Sequence, residues 1–147
     1  MALDPLRRLV AALESSLAMY VSDSGIWSYP GPEEMKLALA DLVGDHKSLL
    51  DRAGTVLAER EMAAPRTAYP LSFTALHDLD LTSLVPRVID VLKRQIAALE
   101  TVATAAGDDA TAAELAREAV DTNRRHVDRL TQLVAKSRAG LVEAKPL

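Results

Sequence analysis

The chain has 147 residues, 49% of them apolar and 26% charged, with a formal net charge of -4. That size and balance indicate one globular domain, 1–147, large enough for a real core. Cysteine is absent, which excludes disulfides, thiolate metal sites, iron–sulfur clusters and a Cys nucleophile.

Aromatic residues make up only 3%, so the core must be built from Ala, Leu and Val, which favours closely packed helices over a sheet. The acidic balance argues against a general nucleic-acid binder. MALDPLRR at the start lacks the basic and apolar regions of a signal peptide, and no stretch approaches the ~20 apolar residues that span a bilayer. The expectation is a cytoplasmic protein with no membrane partner.

A first helix is predicted over about 5–22. Asp4 can cap it, Pro5 suits its first position, and Leu6, Leu9, Val10, Leu13 and Leu17 form its stripe. Glu14 flanks that stripe. Ser22 to Pro30 reads as a connector broken by Gly25 and Pro30, with Trp27 and Tyr29 expected to be buried, against the bundle's own ends in preference to another subunit.

The second helix is predicted over about 32–62, with Glu33 and Glu34 in its first turn, where the helix dipole favours negative charge. Its stripe is Leu39, Leu42, Val43, His46, Leu49, Leu50, Ala53, Val56 and Leu57, interrupted by one imidazole. Gly44 and Gly54 inside this helix suggest close approach by a neighbour. From Ala63 to Thr82 the chain has a connection of about twenty residues, long for a compact domain, with room for a short helix over Leu71 to His77. A connection of this length can return along the bundle, so that the third helix lies parallel to the second.

The third helix is predicted over about 83–106, capped by Ser83, with stripe residues Val85, Val88, Ile89, Leu92, Ile96, Leu99 and Val102. Gly107 stops it and Asp108–Asp109 cap a fourth helix over about 109–138, which forms a tight antiparallel hairpin with the third. The fourth stripe holds Val120, Asn123, His126 and Leu130. Gly140 to Leu147 reads as a loose tail. The fold class is all-α: a four-helix bundle with a long crossover.

Several stretches resemble the Dps proteins, the DNA-protecting branch of the ferritin-like superfamily. Trp27-x-Tyr29-x-Gly31-Pro32 resembles their HWNxxGP segment, and Ala58-Glu59-Arg60 with Pro65 resembles the end of their second helix. Ala105 to Leu115 resembles their AGDxxTADLL hairpin, and Arg125-His126 falls near their EKHLWML segment. The resemblance implies a ferritin-like bundle and a homo-oligomer. Ile26 stands where the family has a ligand His, Ala38 and Leu42 occupy the steps where a His and an Asp would follow, and Asp128 replaces a Trp. No lysine-rich N-terminal tail is present. Iron oxidation and DNA protection therefore do not come with the resemblance.

Di-iron bundles place Glu-x-x-His on two helices and one Glu on each of the others, because residues three apart share a helical face. His46 and His126 fall where that plan puts histidines, but Val43 and Asn123 stand where its carboxylates should be. A substitute metal set of Glu14, His46, Asp90, Asn123 and His126, holding iron or another divalent ion, is one reading. A hydrogen-bonded polar network in the core is the preferred one, and histidines solvated at the stripe's edge are a third. His77-Asp78-Leu79-Asp80 reads first as turn chemistry. Arg124, Arg125, Arg129, Lys136 and Arg138 form a basic strip interleaved with acids, read as solvated or subunit-facing before DNA-facing. No glycine loop for phosphate and no nucleophile turn is present. The function expected is a Dps-related bundle that has lost its ferroxidase centre and acts as an oligomeric structural or interaction module, with no catalytic residue and no resident cofactor. The alternatives are an atypical iron-binding or storage protein and a DNA-associated stress protein.

Overall fold

The computed structural model describes residues 4–76 and 78–143, with side chains as far as residue 140. It is all-helical: α1 (Pro5–Glu14), α2 (Leu17–Ser24), α3 (Glu33–Glu59), α4 (Leu81–Ala105) and α5 (Ala110–Glu143), with 3-10 turns at Ile26–Ser28 and Leu71–Leu76. No strand occurs among the described residues, and none of their helices is long and apolar enough to cross a membrane.

The predicted first helix is two helices. The chain breaks at Ser15–Ser16, where Ser15 Oγ donates back to the Ala11 carbonyl and Ser16 Oγ accepts from the Met19 amide, capping α2. The apolar stripe passes through the break in phase, from Leu13 to Leu17, both buried. α4 begins two residues before the predicted Ser83, because Asp80 takes the cap by accepting from the Ser83 amide. α5 continues through Glu143, so the first part of the predicted tail is helical; 144–147 lie outside the described residues.

α4 and α5 form the broadest contact, as the tight Gly107 hairpin requires; α3 packs on α5 and α1, and α1 on α4. α3 and α5 run antiparallel, and their charges match step for step. Glu34 pairs with Lys136, Asp41 with Arg129, Asp45 with His126, Arg52 with Glu118 and Arg60 with Asp109. On both helices the acids come first and the bases last, which also suits each helix dipole. Exposed pairs of this kind add little stability singly. Together they select one orientation, since a parallel pairing of the same helices would bring like charges together. The basic strip of α5 is thus largely engaged inside the molecule, with Arg124 paired to Glu100 of α4.

The Leu81 amide donates to the Pro30 carbonyl at 2.7 Å, so α4 starts beside the start of α3. The described part of the connection, 60–76, therefore runs back toward the start of α3, passing the end of α1 and then α2. Thr67 Oγ1 donates to Glu14, Tyr69 OH donates to Asp23, and the rings of Tyr20, Tyr69 and Phe73 cluster at centroid distances of 5.2–6.4 Å. Gly31 makes the junction possible: a Cβ there would lie 2.6 Å from Leu81 Cβ.

Two expectations, one about α3 and one about the turn before it, are corrected. A Cβ at Gly44 or Gly54 would meet nothing within 4 Å, so no neighbour requires either glycine. Gly44→Ala and Gly54→Ala should each raise stability by about 0.5–1 kcal/mol in urea denaturation; a loss would show that the close-packing reading was right. Trp27 is 57% exposed, while Tyr29 is buried. The short turn anchors Ile26 and Tyr29 in the core and leaves the ring between them outside.

A candidate functional site: the polar layer at mid-bundle

The buried side chains fall into two apolar clusters. One gathers Leu17–Val21, Met35–Val43, Leu81–Leu92 and Leu130–Val134; the other gathers Leu6–Leu13, Leu49–Leu57, Leu99–Ala106 and Ala112–Val120. Every leg of the bundle passes from one cluster to the other through a polar step: Ser15–Ser16 between α1 and α2, His46 on α3, Gln95 on α4, and Thr122, Asn123 and His126 on α5. Ser16, His46, Gln95, Thr122, Asn123 and His126 are all buried, His46 and Asn123 completely.

Three of these groups, Gln95, Asn123 and His46, are joined in a directed chain that ends on a backbone carbonyl. Gln95 Nε2 donates to the Ala12 carbonyl at 2.7 Å. That carbonyl belongs to the last turn of α1, where the break leaves it without a helical partner. A carbonyl can only accept, so Gln95 turns its amide nitrogen toward α1 and its oxygen toward α5. Asn123 Nδ2 donates to that oxygen at 2.8 Å, which turns Asn123 Oδ1 toward His46. His46 Nε2 lies 2.6 Å from it and must be the donor. The direction of the whole chain is therefore set by a helix end more than 30 residues away in sequence.

A neutral His46 with its proton on Nε2 leaves a lone pair on Nδ1, and this atom is buried with no partner. Burial lowers the His46 pKa below 6.5, and the nearby His126 lowers it further; the bond to Asn123 and the Asp45 charge oppose them without prevailing. His126 itself sits at the layer's edge, its Nε2 donating to the exposed carboxylate of Asp45.

Three of the five sequence-predicted ligand candidates, His46, Asn123 and His126, do meet in this layer. Glu14 and Asp90 do not join them. Glu14 ends α1 and accepts from Thr67 in the returning connection. Asp90 is exposed on the outer face of α4, opposite to its buried neighbours Val88 and Leu92, beside Arg87 and Arg94 in a surface cleft. Among the described residues no group of three or more His, Asp or Glu side chains is placed to hold a metal ion. The ligand chemistry also fits a di-iron centre poorly: His46 offers one lone pair, on Nδ1, with no partner there, Val43 stands three residues before it in place of a carboxylate, and Asn123 spends both of its polar atoms on the chain. His77 lies outside the described residues, while Asp80 of the same tetrad caps α4.

Sequence reading missed Gln95 and the Ala12 carbonyl. Gln95 stands three residues after Leu92 and four before Leu99, in phase with the buried stripe. That spacing was the available signal, obscured by Ile96 beside it. Ala12 carries no side-chain signal at all. Comparison of the chain with protein-family models, with curated proteins and with solved structures gives no match.

Proposed function

We propose that this chain is a ferritin-like bundle related to the Dps proteins, in which a hydrogen-bonded polar layer occupies the level of the ferroxidase centre. It acts as an oligomeric structural or interaction module of the cytoplasm, not as an oxidase or DNA-protecting protein. The observation that carries this reading is the directed chain from His46 through Asn123 and Gln95 to Ala12. It commits His46 Nε2 and both polar atoms of Asn123 to bonds within the core, and no carboxylate partners the remaining Nδ1. The shared starting end of α3 and α4, and the connection returning along α1 and α2, support the ferritin-like topology. The engagement of Arg124, Arg129 and Lys136 with carboxylates speaks against a phosphate-binding face.

The rival reading, an atypical metal site, draws on the free Nδ1 of His46 with Asp45 and His126 nearby. Thermal unfolding with added iron, zinc or manganese separates the two. A metal held by the folded chain at a hundred times its dissociation constant would stabilise it by about 2.7 kcal/mol. The polar-layer reading expects no rise. A saturable rise that disappears in His46→Ala/His126→Ala would replace it with the metal reading. Sedimentation analysis tests assembly, and a strict monomer would remove the oligomer from the proposal.

A further inference from the structure

Trp27, the chain's single tryptophan, is held in the open by buried residues on both sides. Lys36 fixes it from α3: its Nζ donates to the Trp27 carbonyl at 3.2 Å and stands 5.9 Å from the ring centroid. Between the ring and α3 lies a cleft of about 300 Å³, floored by Ile26, Ala40, Val43 and Gly44 and ended by Lys47. Leu37, 46% exposed, adds apolar surface on the same outer side of α3.

The charges around this groove differ from those elsewhere on the helix. The α3–α5 seam matches each of its cations with a carboxylate. Among the described residues, neither Lys36 nor Lys47 has a carboxylate within ion-pair distance. They sit about three turns apart on α3, roughly 16 Å along its axis. An apolar groove with an unmatched cation at each end complements a segment that is apolar along one face and acidic at both ends. A second copy of α3 is a poor source of those acids: Glu34, Asp41 and Asp45 already pair with α5, and its other exposed acids, Glu33, Asp51 and Glu59, do not recur at the spacing that separates Lys36 from Lys47.

We propose that the Trp27 groove on α3 binds an acidic amphipathic helix of another protein, its apolar stripe against Trp27, Ala40 and Gly44 and its carboxylates on Lys36 and Lys47. This rests on reading the chain as an interaction module, and it can fail while the core experiments stand, since the groove lies outside the polar layer.

Trp27 is its own reporter. A displayed library of tryptophan-free helical peptides, with apolar spacing fixed and charged positions randomised, is selected on the folded chain. The selected peptides, made synthetically, are then titrated while Trp27 emission is followed. The expected result is an acidic consensus and a saturable shift of emission to shorter wavelength. Lys36→Glu/Lys47→Glu should weaken binding at least tenfold. Gly44→Arg, which projects a side chain into the cleft from an exposed helical position, should abolish it with the fold intact by circular dichroism. A basic or neutral consensus, or binding that both variants leave unchanged, overturns the proposal. So does a blue shift that grows with protein concentration without peptide while sedimentation shows a dimer, which would make a second copy the occupant.

Discussion

Asn123→Ala is expected to destabilise the chain by about 3–5 kcal/mol in urea denaturation, more than its size suggests. The residue is fully buried and bridges two other buried groups. Truncation leaves His46 Nε2–H without an acceptor and Gln95 Oε1 without a donor, each at the desolvation cost of an unpaired buried group, and adds a cavity. The layer's net contribution is a separate matter, because its bonds replace bonds to water in the unfolded chain. Replacing all three members together, as His46→Leu/Gln95→Leu/Asn123→Leu, removes the unpaired side-chain groups, leaves only the part-buried Ala12 carbonyl without its donor, and joins the two apolar clusters into one. That variant should recover most of the loss and could exceed the parent in stability. A cost below about 1 kcal/mol would show that His46 and Gln95 find other partners once Asn123 is lost, and that the chain of bonds does not hold the layer together.

What the triple variant should lose is uniqueness. Polar groups at one level of all the legs penalise any sliding of one helix by a turn, since a slipped layer would strand its donors among leucines. The exposed charge ladder on the α3–α5 seam acts in the same direction from outside. The physical logic is that of a buried polar residue setting register in a helical bundle, where specificity is gained against some stability.

The sequence made α3, α4 and α5 legible because each carries a stripe that keeps helical phase along its length, polar step included, and the Gly107–Asp109 stop and cap mark the hairpin. It also placed His46, Asn123 and His126 in one neighbourhood. The Ser15–Ser16 break was not legible, since neither Gly nor Pro marks it and Leu13 to Leu17 keeps helical phase across it. Asp90 was misplaced because distance from the Gly107 turn does not say which face of α4 a residue occupies. It is exposed, and Gln95 is the α4 residue that meets Asn123. Trp27 was misjudged for a related reason: hydrophobicity alone cannot say which of Ile26, Trp27 and Tyr29 a three-residue turn will leave outside. The missing half of the site is a backbone carbonyl, Ala12, whose availability depends on the break that the stripe concealed.

A second large effect is expected from pH. The folded-state pKa of His46 lies below 6.5, so between that value and 6.5 the unfolded chain binds a proton that the folded chain refuses. The stability His46 contributes as a neutral group is therefore complete above pH ~6.5 and is lost as pH falls below it, at a slope approaching 1.4 kcal/mol per unit. The groups facing His46 do not prevent this. Asn123, which accepts from Nε2, and Asp45 favour the cation, but Nδ1–H of the cation would find no acceptor, His126 repels it, and burial outweighs both. Asp80, Asp109 and Glu118 titrate in another window. Bonds from Thr82 and Ser83, from Arg60 and from Arg52 hold their pKa values down, so the stability they contribute is lost only below their unfolded values near 4. The acid side of the stability curve should thus fall in two stages. His46→Gln keeps an N–H donor for Asn123 and leaves His126 in place, so it should flatten the first stage, pH 6.5 to 5, and leave the second. Urea midpoints at pH 7.5, 6.5, 5.5 and 4.5 for parent and variant measure both. Equal slopes in the upper window would mean that His46 accepts a proton in the folded chain, and that the free Nδ1 reaches water or a partner through motion of the α3–α5 seam.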